Sequence, residues 1–400
     1  MTAPAINLSP GQVTALSVLL AQIGKHGRAG PAVLVGPAGT GKTTLMGALV
    51  QRLTGKRTVR CAAPTGRAAK VLSTKLQAWG VPTGATTIHR ALYGAPAEDA
   101  DGDLDFGEAR APIGEGGVLI IDEASMIGET IHKDILAHLP PRASLLYVGD
   151  REQLPPVGEA WGPDFGAPTA ALHEVHRQAL ESPIVRIATA VREGKKLPTA
   201  SDGDYRREAA SLDDVAAWAA QARRESRDAV VLAATHHTRQ LLNARTREQL
   251  GLAGGVVVGD RLVVCFNSYD SGLMNGELID VIGVTPIDAR RAAVSTLCGR
   301  SITVYLDHVG GPVRAWRGAV AADAEREPPY LFPPAVHVDH GWALTVHKAQ
   351  GSEWAEVALV LDQGLQSWCG RDPQTGRRLV YTGVTRARTK LNVFDTRRRR

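Results

Sequence analysis

The segment 36–43 constrains this chain more than any other part of its sequence. Its residues, Gly-Pro-Ala-Gly-Thr-Gly-Lys-Thr, fit the pattern G-x-x-x-x-G-K-[ST] of a phosphate-binding loop. The loop follows the wholly apolar run 32–35, which is typical of a strand buried on both faces. It precedes a segment that carries Leu45, Leu49 and Leu53 on one helical face. The sequence therefore predicts a strand, a phosphate-binding turn and a helix, in that order.

The residue types in this loop explain what it would bind. Glycines allow the backbone N–H groups to turn toward phosphates, and the N-terminus of the following helix adds positive potential. Lys42 can reach the β- and γ-phosphates of a nucleotide, and the hydroxyl of Thr43 can bind Mg²⁺. The predicted loop contacts are Gly36, Pro37, Ala38, Gly39, Thr40, Gly41, Lys42, Thr43 and Thr44.

Two acidic residues follow a second apolar run. Asp122 and Glu123 come directly after the predicted strand 118–121. In an open α/β sheet, ligands bind beyond the carboxyl ends of the strands, so both acids should face the same ligand as the loop. We expect Asp122 to hold Mg²⁺ and Glu123 to orient and activate a water molecule. The alternative for an isolated pair is an exposed acidic turn.

The chain is too long for one core. Its 400 residues, with 44% hydrophobic and 22% charged residues, indicate several globular domains. Apolar runs alternate with helical patterns, which favours α/β domains with parallel sheets. Between about 256 and 335 the sequence pattern changes to short strands separated by turns, the first at 256–258. This pattern predicts a small β-barrel. We predict a first α/β domain at 1–170, a second at 171–255 and 336–400, and the barrel as an insertion in the second.

Charge and cysteine content exclude little. The formal net charge is +5, and the four arginines at 397–400 supply most of it, so a nucleic-acid partner cannot be inferred from the sum. The four cysteines lie far apart and indicate reduced thiols in a cytosolic protein. We find neither a membrane-spanning apolar run nor a secretory signal, and arginine far outnumbers lysine. We therefore expect a protein of the bacterial cytoplasm, or of a phage-infected cell, without a membrane partner.

Further segments, taken together, resemble the conserved motifs of superfamily 1 helicases. They are 63–69, similar to motif Ia; 149–157, similar to motif III; 347–353, similar to motif V; and 380–387, similar to motif VI. They occur in the order that the family has, and with Gln12 they cover nearly the whole chain. The segments 86–90, 275–277 and 346–348 indicate the RecD/Dda type.

This resemblance implies a fold and an activity. It implies two RecA-like parallel-sheet domains, with a small hairpin insertion at about 92–114 and an SH3-like β-barrel insertion in the second domain. It also implies an ATP- and Mg²⁺-dependent DNA helicase that moves 5′→3′. The implied partners are single-stranded DNA and forked duplex DNA, with a single-strand-binding protein as a further candidate, and the implied oligomeric state is a monomer.

The resemblance also assigns roles to individual residues. Gln12 would read the adenine edge, although it can equally close a capping box with Ser9. Gln153 would sense the γ-phosphate, and Arg386 would act as an arginine finger. Arg177 would be a second finger, or else an ordinary arginine of a surface helix. The predicted catalytic set is Lys42, Glu123, Gln153, Arg177 and Arg386; Glu353 would lie near the ribose or the phosphates.

Two similar tetrads suggest how a strand is held. Thr87-Ile88-His89-Arg90 resembles Thr345-Val346-His347-Lys348, and two similar α/β folds would place them on equivalent edges. Hydroxyl, imidazole and cation at this spacing suit contacts with a phosphate backbone, while coincidence in a common polar tetrad is the alternative. The predicted DNA-binding residues are Pro64, Thr65, Arg67, His89, Thr345, His347 and Lys348.

Two insertions have open interpretations. The acidic segment 94–114 is either a solvated loop or, by resemblance, the hairpin pin that splits a duplex, with Leu104 or Phe106 as its wedge. Trp316, Tyr330 and Phe332 belong to the barrel insertion, where core packing is the preferred interpretation and base stacking the alternative.

Two classes of function remain to be compared. A motor would couple hydrolysis to the closing of two domains, whereas a nucleotide-gated switch would bind nucleic acid and release it without travelling. The presence of motifs III, V and VI favours the motor. A nuclease has little support, because no acidic cluster beyond Asp122 and Glu123 suits two metal ions.

Overall fold

The computed structural model divides the chain into two compact units: the first is Met1–Ala97 with Leu104–Ala188, and the second is Glu98–Asp103 with Thr189–Arg400. It describes residues 6–25, 30–81, 84–93, 97–98, 104–105, 113–175, 181–199, 201–266, 268, 271–307, 309–311 and 335–397. Several predicted residues lie outside this part of the chain: Arg177, Phe106, Trp316, Tyr330 and Phe332.

The first unit is built on a sheet of six parallel strands in the order β3-β2-β6-β7-β1-β8. These strands are β1 (Ala32–Val35), β2 (Val59–Ala63), β3 (Ala85–Thr87), β6 (Val118–Ile121), β7 (Ser144–Gly149) and β8 (Ala170–Ala171). Between β3 and β6, β4 (Ala97–Glu98) and β5 (Leu104–Asp105) pair in a separate two-stranded sheet, within the segment predicted as a hairpin. The first unit extends past residue 170, the predicted boundary, because β8 pairs with β1.

Helices cover both faces of this sheet. They are α1 (Pro10–Ile23), α2 (Lys42–Leu53), α3 (Gly66–Ala78), α4 (Ile88–Tyr93) and α5 (Glu129–His138), and α6 (Pro183–Arg192) follows. Successive residues of β1 enter different cores: Leu34 packs with Leu16 and Leu49, whereas Val33 packs with Ile88 and Ile135. This alternation places a core on each face, as a doubly wound sheet requires.

Helix α1 begins as its sequence predicts and buries a polar side chain. Ser9 caps it, and Gln12 completes the capping box. Val13 is exposed, whereas the polar side chain of Gln12 is buried. The helix ends at the cap Gly24.

The second unit contains a sheet of five parallel strands in the order β16-β10-β17-β18-β9. Its strands are β9 (Tyr205–Ala209), β10 (Ala229–Ala233), β16 (Ala343–Thr345), β17 (Trp354–Leu361) and β18 (Ala387–Asp395). The helices of this unit, after α6, are α7 (Leu212–Arg224), α8 (His236–Gln249), α9 (Gln363–Arg371) and α10 (Pro373–Val384). Val231 of β10 and Ala358 of β17 pack with Val215 of α7 and Leu242 of α8 in its core.

The predicted barrel insertion is confirmed as a closed barrel of five strands, with two corrections. The strands are β11 (Arg261–Val264), β12 (Leu278–Pro286), β13 (Arg291–Thr296), β14 (Ser301–Tyr305) and β15 (Val336–His340). The apolar run 256–258 is not a strand; Val256 packs into the barrel core from a turn. The barrel also extends past the predicted limit at 335, because β15 pairs with both β11 and β14.

Buried polar contacts fix the barrel to helix α8. Arg239 of α8 forms an ion pair of 2.6 Å with Asp339 of β15, and Arg247 binds Asp260, which precedes β11, at 2.8 Å. Asn243 donates to the carbonyl of His340 at 3.0 Å and accepts from the N–H of Ala343 at 2.7 Å. Because a buried charge is costly without a partner, these pairs define one position of the barrel on the second unit.

Candidate active site and nucleic-acid interface

The phosphate-binding loop joins β1 to α2 and has the backbone that its glycines allow. Gly39 and Gly41 have φ angles of 81° and 74°, in the left-handed region that side chains disfavour. Gly41 is the N-cap of α2, so Lys42 and Thr43 begin the helix. Helix N-termini with free N–H groups attract phosphate, so the local geometry suits the predicted ligand.

Lys42 is held against its own loop. Its Nζ donates to the carbonyl oxygens of Gly36 at 2.6 Å and Pro37 at 3.2 Å. The hydroxyl of Thr40 also donates to the Pro37 carbonyl, at 2.9 Å. The ammonium therefore already lies at the mouth of the loop, where phosphate oxygens can replace the carbonyl oxygens as acceptors.

Gln12 braces the loop from behind. Its Oε1 accepts from the N–H of Ser9 at 2.9 Å, which closes the capping box. Its Nε2 donates to the carbonyls of Thr40 at 3.2 Å and Gly41 at 3.3 Å. The capping-box role is thus present, and the contact with adenine stays a prediction. Sequence reasoning missed the brace, because it joins residues that are far apart in the chain.

The acidic pair lies at the carboxyl end of β6. A carboxylate oxygen of Asp122 accepts from the N–H of Glu123 at 2.9 Å. Glu123 has a φ of 52°, an uncommon value for a residue with a side chain, and such strain is found at functional sites. Burial and the charge of Glu123 raise the pKa of Asp122 to about 6, although the charge of Lys42 opposes the shift.

A second buried turn follows β7. The carbonyl of Gly149 accepts from the N–H of Gly36 at 3.2 Å, so this turn is tied to the start of the phosphate loop. Asp150 is buried, and its carboxylate accepts from the N–H of Glu152 at 3.0 Å. Gln153 is only 5% exposed, and its Oε1 has no hydrogen-bond partner in the described part of the chain. An orphaned buried acceptor suggests a missing donor, such as a water molecule.

The strand order brings these three segments to one edge. β6, β7 and β1 are neighbours, so the acidic pair, the turn with Gln153 and the phosphate loop all follow carboxyl ends of adjacent parallel strands. The effect of Lys42 on the pKa of Asp122 agrees with this placement. The structure therefore places Lys42, Glu123 and Gln153 at one edge, and their catalytic roles stay predictions. Asp150 was not assigned a role from the sequence, although an acid directly after a buried strand was the available signal.

The predicted metal ligands fit Mg²⁺ chemically. The described residues contain no group of three or more His, Cys, Asp or Glu that could hold a metal ion. Mg²⁺ in nucleotide sites typically uses one or two protein oxygens together with phosphate oxygens and water. A divalent cation would also stabilise the ionised form of Asp122, whose pKa is raised. Asp122 and the Thr43 hydroxyl are therefore suitable ligands.

Arg386 is buried within the second unit. Its guanidinium donates to the carbonyls of Thr382 at 3.1 Å and Ser352 at 3.2 Å, and to the hydroxyl of Thr385 at 3.1 Å. The residue is 4% exposed. To act as an arginine finger it would have to exchange these acceptors for phosphate oxygens. Glu353, half-buried, comes next after Ser352 in the chain.

The two tetrads occupy equivalent positions in the two sheets. Thr87 ends β3, which pairs with β2, and Thr345 ends β16, which pairs with β10. The Thr87 hydroxyl accepts from the N–H of Arg90 at 3.3 Å, and the Thr345 hydroxyl accepts from the N–H of Lys348 at 3.2 Å. The same local turn therefore presents a histidine and a cation at the carboxyl edge of each sheet.

A matching pair of helix caps lies beside these turns. Thr65 caps α3 after β2, and Thr235 caps α8 after β10, with nearly identical cap dihedrals. Pro64 and Arg67, both half-buried, flank the first cap. Thr235 was not singled out from the sequence, where only the first cap matched a known motif.

The histidines and the lysine of the two tetrads differ in exposure. His89 is exposed, whereas His347 is partly buried, and burial lowers the pKa of His347. Lys348 is partly buried too, and burial lowers its pKa. Its Nζ donates to the side chain of Asn275 and, at 3.4 Å, to the carbonyl of Cys265, both next to the barrel strands. The contact with Asn275 was not predicted.

Comparison with known proteins agrees with this arrangement. Residues 7–209 match the family described as AAA domain, and residues 340–394 match the UvrD-like helicase C-terminal domain. The chain is 32% identical over 380 residues to the ATP-dependent RecD2 DNA helicase of Deinococcus radiodurans, which covers 90% of this chain and 46% of that protein. The chain belongs to the superfamily 1 helicases of the RecD/Dda type.

A second relative matches about half of this chain, and both matches cover only part of the relative. The chain is 34% identical over 202 residues to the ATP-dependent DNA helicase dda of phage T4, covering 47% of this chain and 43% of that protein. The chain thus spans less than half the length of these two helicases.

Solved structures confirm the predicted fold class. The Pif1 helicase from Bacteroides in complex with ADP-AlF3 and ssDNA has a TM-score of 0.54 and 16% identity, over 98% of this chain and 92% of that one. The Pif1 helicase from Candida albicans has a TM-score of 0.51 and 20% identity, over 98% of this chain and 94% of that one. The fold of this chain, two RecA-like sheets with a β-barrel insertion, is therefore similar overall to that of solved helicases. None of the helices in the described residues is long and apolar enough to cross a membrane.

Proposed function

We propose that this chain is an ATP-dependent DNA motor that moves along single-stranded DNA, 5′→3′, and opens a duplex at a fork. The observation that carries the proposal is the edge of the first sheet. There the phosphate loop, the acidic pair and Gln153, whose buried Oε1 has no partner among the described residues, follow three adjacent strands. The direction of movement is taken from the RecD/Dda resemblance.

The first unit would perform the hydrolysis. Lys42 would leave the carbonyls of its own loop and bind the β- and γ-phosphates. Mg²⁺, held by Thr43 and Asp122, would neutralise charge on the phosphates. Glu123 would accept a proton from the attacking water, and Gln153 would orient that water with its free acceptor. Gln12 would add an adenine contact while bracing the loop.

The second unit would respond to the nucleotide through its arginine. Arg386 now binds Ser352 and Thr382, and a triphosphate would offer it stronger, charged acceptors. Exchange of partners would link the state of the nucleotide to the position of the second unit, as domain closure does in other motors. Arg177 would supply a second positive charge, and Glu353 would lie near the ribose or phosphates.

Two equivalent edges would hold the single strand. Each sheet presents a threonine-anchored turn with a histidine and a cation: His89 in the first, His347 and Lys348 in the second. Contacts with phosphates position a strand without reading its sequence, which suits a motor that must move over any sequence. Alternating grips at these edges would move the protein along the strand. Thr65 and Arg67 would add contacts beside the first edge.

The hairpin at β4 and β5 is proposed as the pin. Replacing residues 94–114 by a Gly-Ser linker should leave hydrolysis intact and abolish strand separation, since the pin acts on the duplex and not on the nucleotide. Unwinding at the wild-type rate would reject this role.

A strand-displacement assay tests the function as a whole. Forked substrates carrying only a 5′ or only a 3′ single-stranded arm are mixed with ATP and Mg²⁺. We expect displacement from the 5′ arm, none from the 3′ arm, and none with Lys42→Ala. Hydrolysis stimulated by single-stranded DNA without displacement of either fork would indicate the nucleotide-gated switch instead. We further propose that the monomer is active, that a single-strand-binding protein is a candidate partner, and that the protein acts in the cytoplasm of a bacterial or phage-infected cell.

A further inference from the structure

The barrel carries a row of rings on its outer surface. In β15, Val336 and Val338 enter the barrel core, so His337 between them points outward. His337 is the register partner of Tyr305 on β14. Their rings stack, with centroids 4.5 Å apart and an interplanar angle of 26°. The guanidinium of Arg290 lies 6.0 Å from the centroid of the Tyr305 ring.

Phe266 ends this row, just beyond a third strand. It comes shortly after β11, and its ring meets that of His337 edge-on, at 5.8 Å and 81°. The row Tyr305–His337–Phe266 therefore crosses β14, β15 and the loop that follows β11. Tyr305 is 6% exposed, whereas Phe266 is 42% exposed, so the row ends in a ring that solvent can reach.

The exposed ring lies beside a candidate phosphate-binding cation. The residue before Phe266 is Cys265, whose carbonyl accepts from Nζ of Lys348 at 3.4 Å. The side chain of Asn275, in the same loop between β11 and β12, also accepts from Lys348. The N–H of Gly276 closes this loop on the carbonyl of Val264 at 2.9 Å. One loop therefore holds both the ring and the ammonium.

An exposed apolar side chain alone is ordinary, and Val157 and Leu297 are more exposed than Phe266. Phe266 differs from them in two respects. It is aromatic and supported by a second ring, so little conformational freedom is lost when a flat ligand stacks on it. It also adjoins Lys348, at the edge where the second sheet would hold a phosphate backbone.

We propose that Phe266 is a stacking platform for one nucleobase of the single strand, with His337 and Tyr305 as its support. This inference rests on the proposed function. The base stacks on Phe266 while the neighbouring phosphate is held near Lys348. Every base has a π-face, so the contact does not depend on sequence. The barrel thus holds the strand through a base, and the two sheets hold it through phosphates.

The test compares two ligands that differ only in their bases. The full chain is titrated, at one fixed salt concentration, with an oligothymidylate and with an abasic oligonucleotide of the same length. Phe266→Ala should weaken binding of the oligothymidylate roughly 5- to 150-fold, the range for one lost base–aromatic stack. It should leave binding of the abasic strand unchanged, because the phosphate contacts remain.

Companion variants separate stacking from folding. Phe266→Trp should keep the preference for bases, and Phe266→Leu should lose it. Trp368→Ala removes a similarly exposed aromatic ring, 43% exposed and on α9, and should change neither affinity. Equal losses for both oligonucleotides, or no loss for either, would overturn the stacking role while leaving strand displacement by the wild type as evidence for the motor. If the wild type binds neither oligonucleotide, the proposed function and this inference both fail.

Discussion

Strands β1 and β9 occupy the same place in the two sheets, the fifth in the orders β3-β2-β6-β7-β1-β8 and β16-β10-β17-β18-β9. The connections from these two strands to the next helix differ. After β1 comes a glycine-rich turn whose helix begins with Lys42 and has no side chain at its N-cap. After β9 comes Ser211, which caps α7, and Asp214 closes the capping box on its N–H. The first helix N-terminus can receive an anion, whereas the second already holds a carboxylate.

By contrast, the strands that come second in the two sheet orders, β2 and β10, lead to similar structures. β2 and β10 both lead to threonine-capped helices, and both pair with a strand that ends in a threonine-anchored turn. The comparison teaches that the described parts of the two units share the threonine-anchored turns proposed to hold a nucleic-acid backbone, whereas the glycine loop proposed to hold a triphosphate belongs to the first. In our proposal the second unit contributes Arg386 instead.

The largest effect is expected at Arg386. If the second unit supplies only a cation, Arg386→Ala should reduce ATP turnover by about 10³-fold or more, as loss of an arginine finger does. Nucleotide binding should be retained. The variant also leaves two carbonyls without their donor, so we expect unfolding to become easier by about 1–3 kcal/mol. Turnover and thermal unfolding are measured on the same sample; near-normal turnover would remove Arg386 from the mechanism.

The next effect tests whether one sheet or both bind nucleotide. Lys42→Ala should reduce turnover by about 10²–10³-fold, because the lysine stabilises charge on the transferred phosphoryl group. Lys56→Ala, which changes an exposed lysine of the same unit, is the matched control and should retain full turnover. Substantial hydrolysis remaining in Lys42→Ala would mean that a second nucleotide site exists. That result would contradict the difference drawn between the helix N-termini after β1 and β9.

The raised pKa of Asp122, at the carboxyl edge of the first sheet, predicts that the stability of the protein depends on pH. Its folded-state pKa of about 6 lies above the value of about 3.9 expected in an unfolded chain. The folded state therefore binds this proton more tightly, and its stability should fall as pH rises from about 4 to 6, by on the order of 2–3 kcal/mol. Asp122→Asn should remove this fall and stabilise the nucleotide-free protein at neutral pH. Denaturant unfolding at several pH values measures this change in stability. Identical pH profiles for the wild type and Asp122→Asn would show that folding does not raise the pKa of Asp122.

The smallest expected effect concerns the N-terminal cap of helix α7 in the second unit. Asp214→Ala should lower the free energy of unfolding by about 0.5–2 kcal/mol through loss of the capping box, and should leave turnover unchanged. Asp213→Ala, which removes an exposed partner of Arg245, is the control and should cost less. A large loss of turnover in Asp214→Ala would indicate that this helix end takes part in catalysis.

The parts of the fold that the sequence predicted well are those encoded locally. The apolar run of β6 and the glycine loop after β1 carry their own signals, and both lie where predicted. β9 was missed because its sequence, Tyr-Arg-Arg-Glu-Ala, is mostly polar, as suits an edge strand. The strand predicted at 256–258 was wrong. Val256 packs into the barrel core from a turn, whereas Val258 is exposed, and the pattern of so short an apolar run cannot distinguish this from a strand.

The same division applies to the site. The motifs located the ends of β1, β6 and β7 correctly, because each motif directly follows a strand. Contacts between distant segments had no sequence signal: Gln12 with the loop carbonyls, Asn275 with Lys348, and Arg386 with Ser352. Each depends on how separate elements pack, which one sequence does not encode in any short pattern.

The number of nucleotides bound per chain tests the central claim most directly. Equilibrium titration of the full chain with a non-hydrolysable ATP analogue and Mg²⁺ should give one nucleotide per chain. Two nucleotides per chain, or one that binds unchanged when Lys42 and Asp122 are both replaced by alanine, would contradict a single site at the edge of the first sheet.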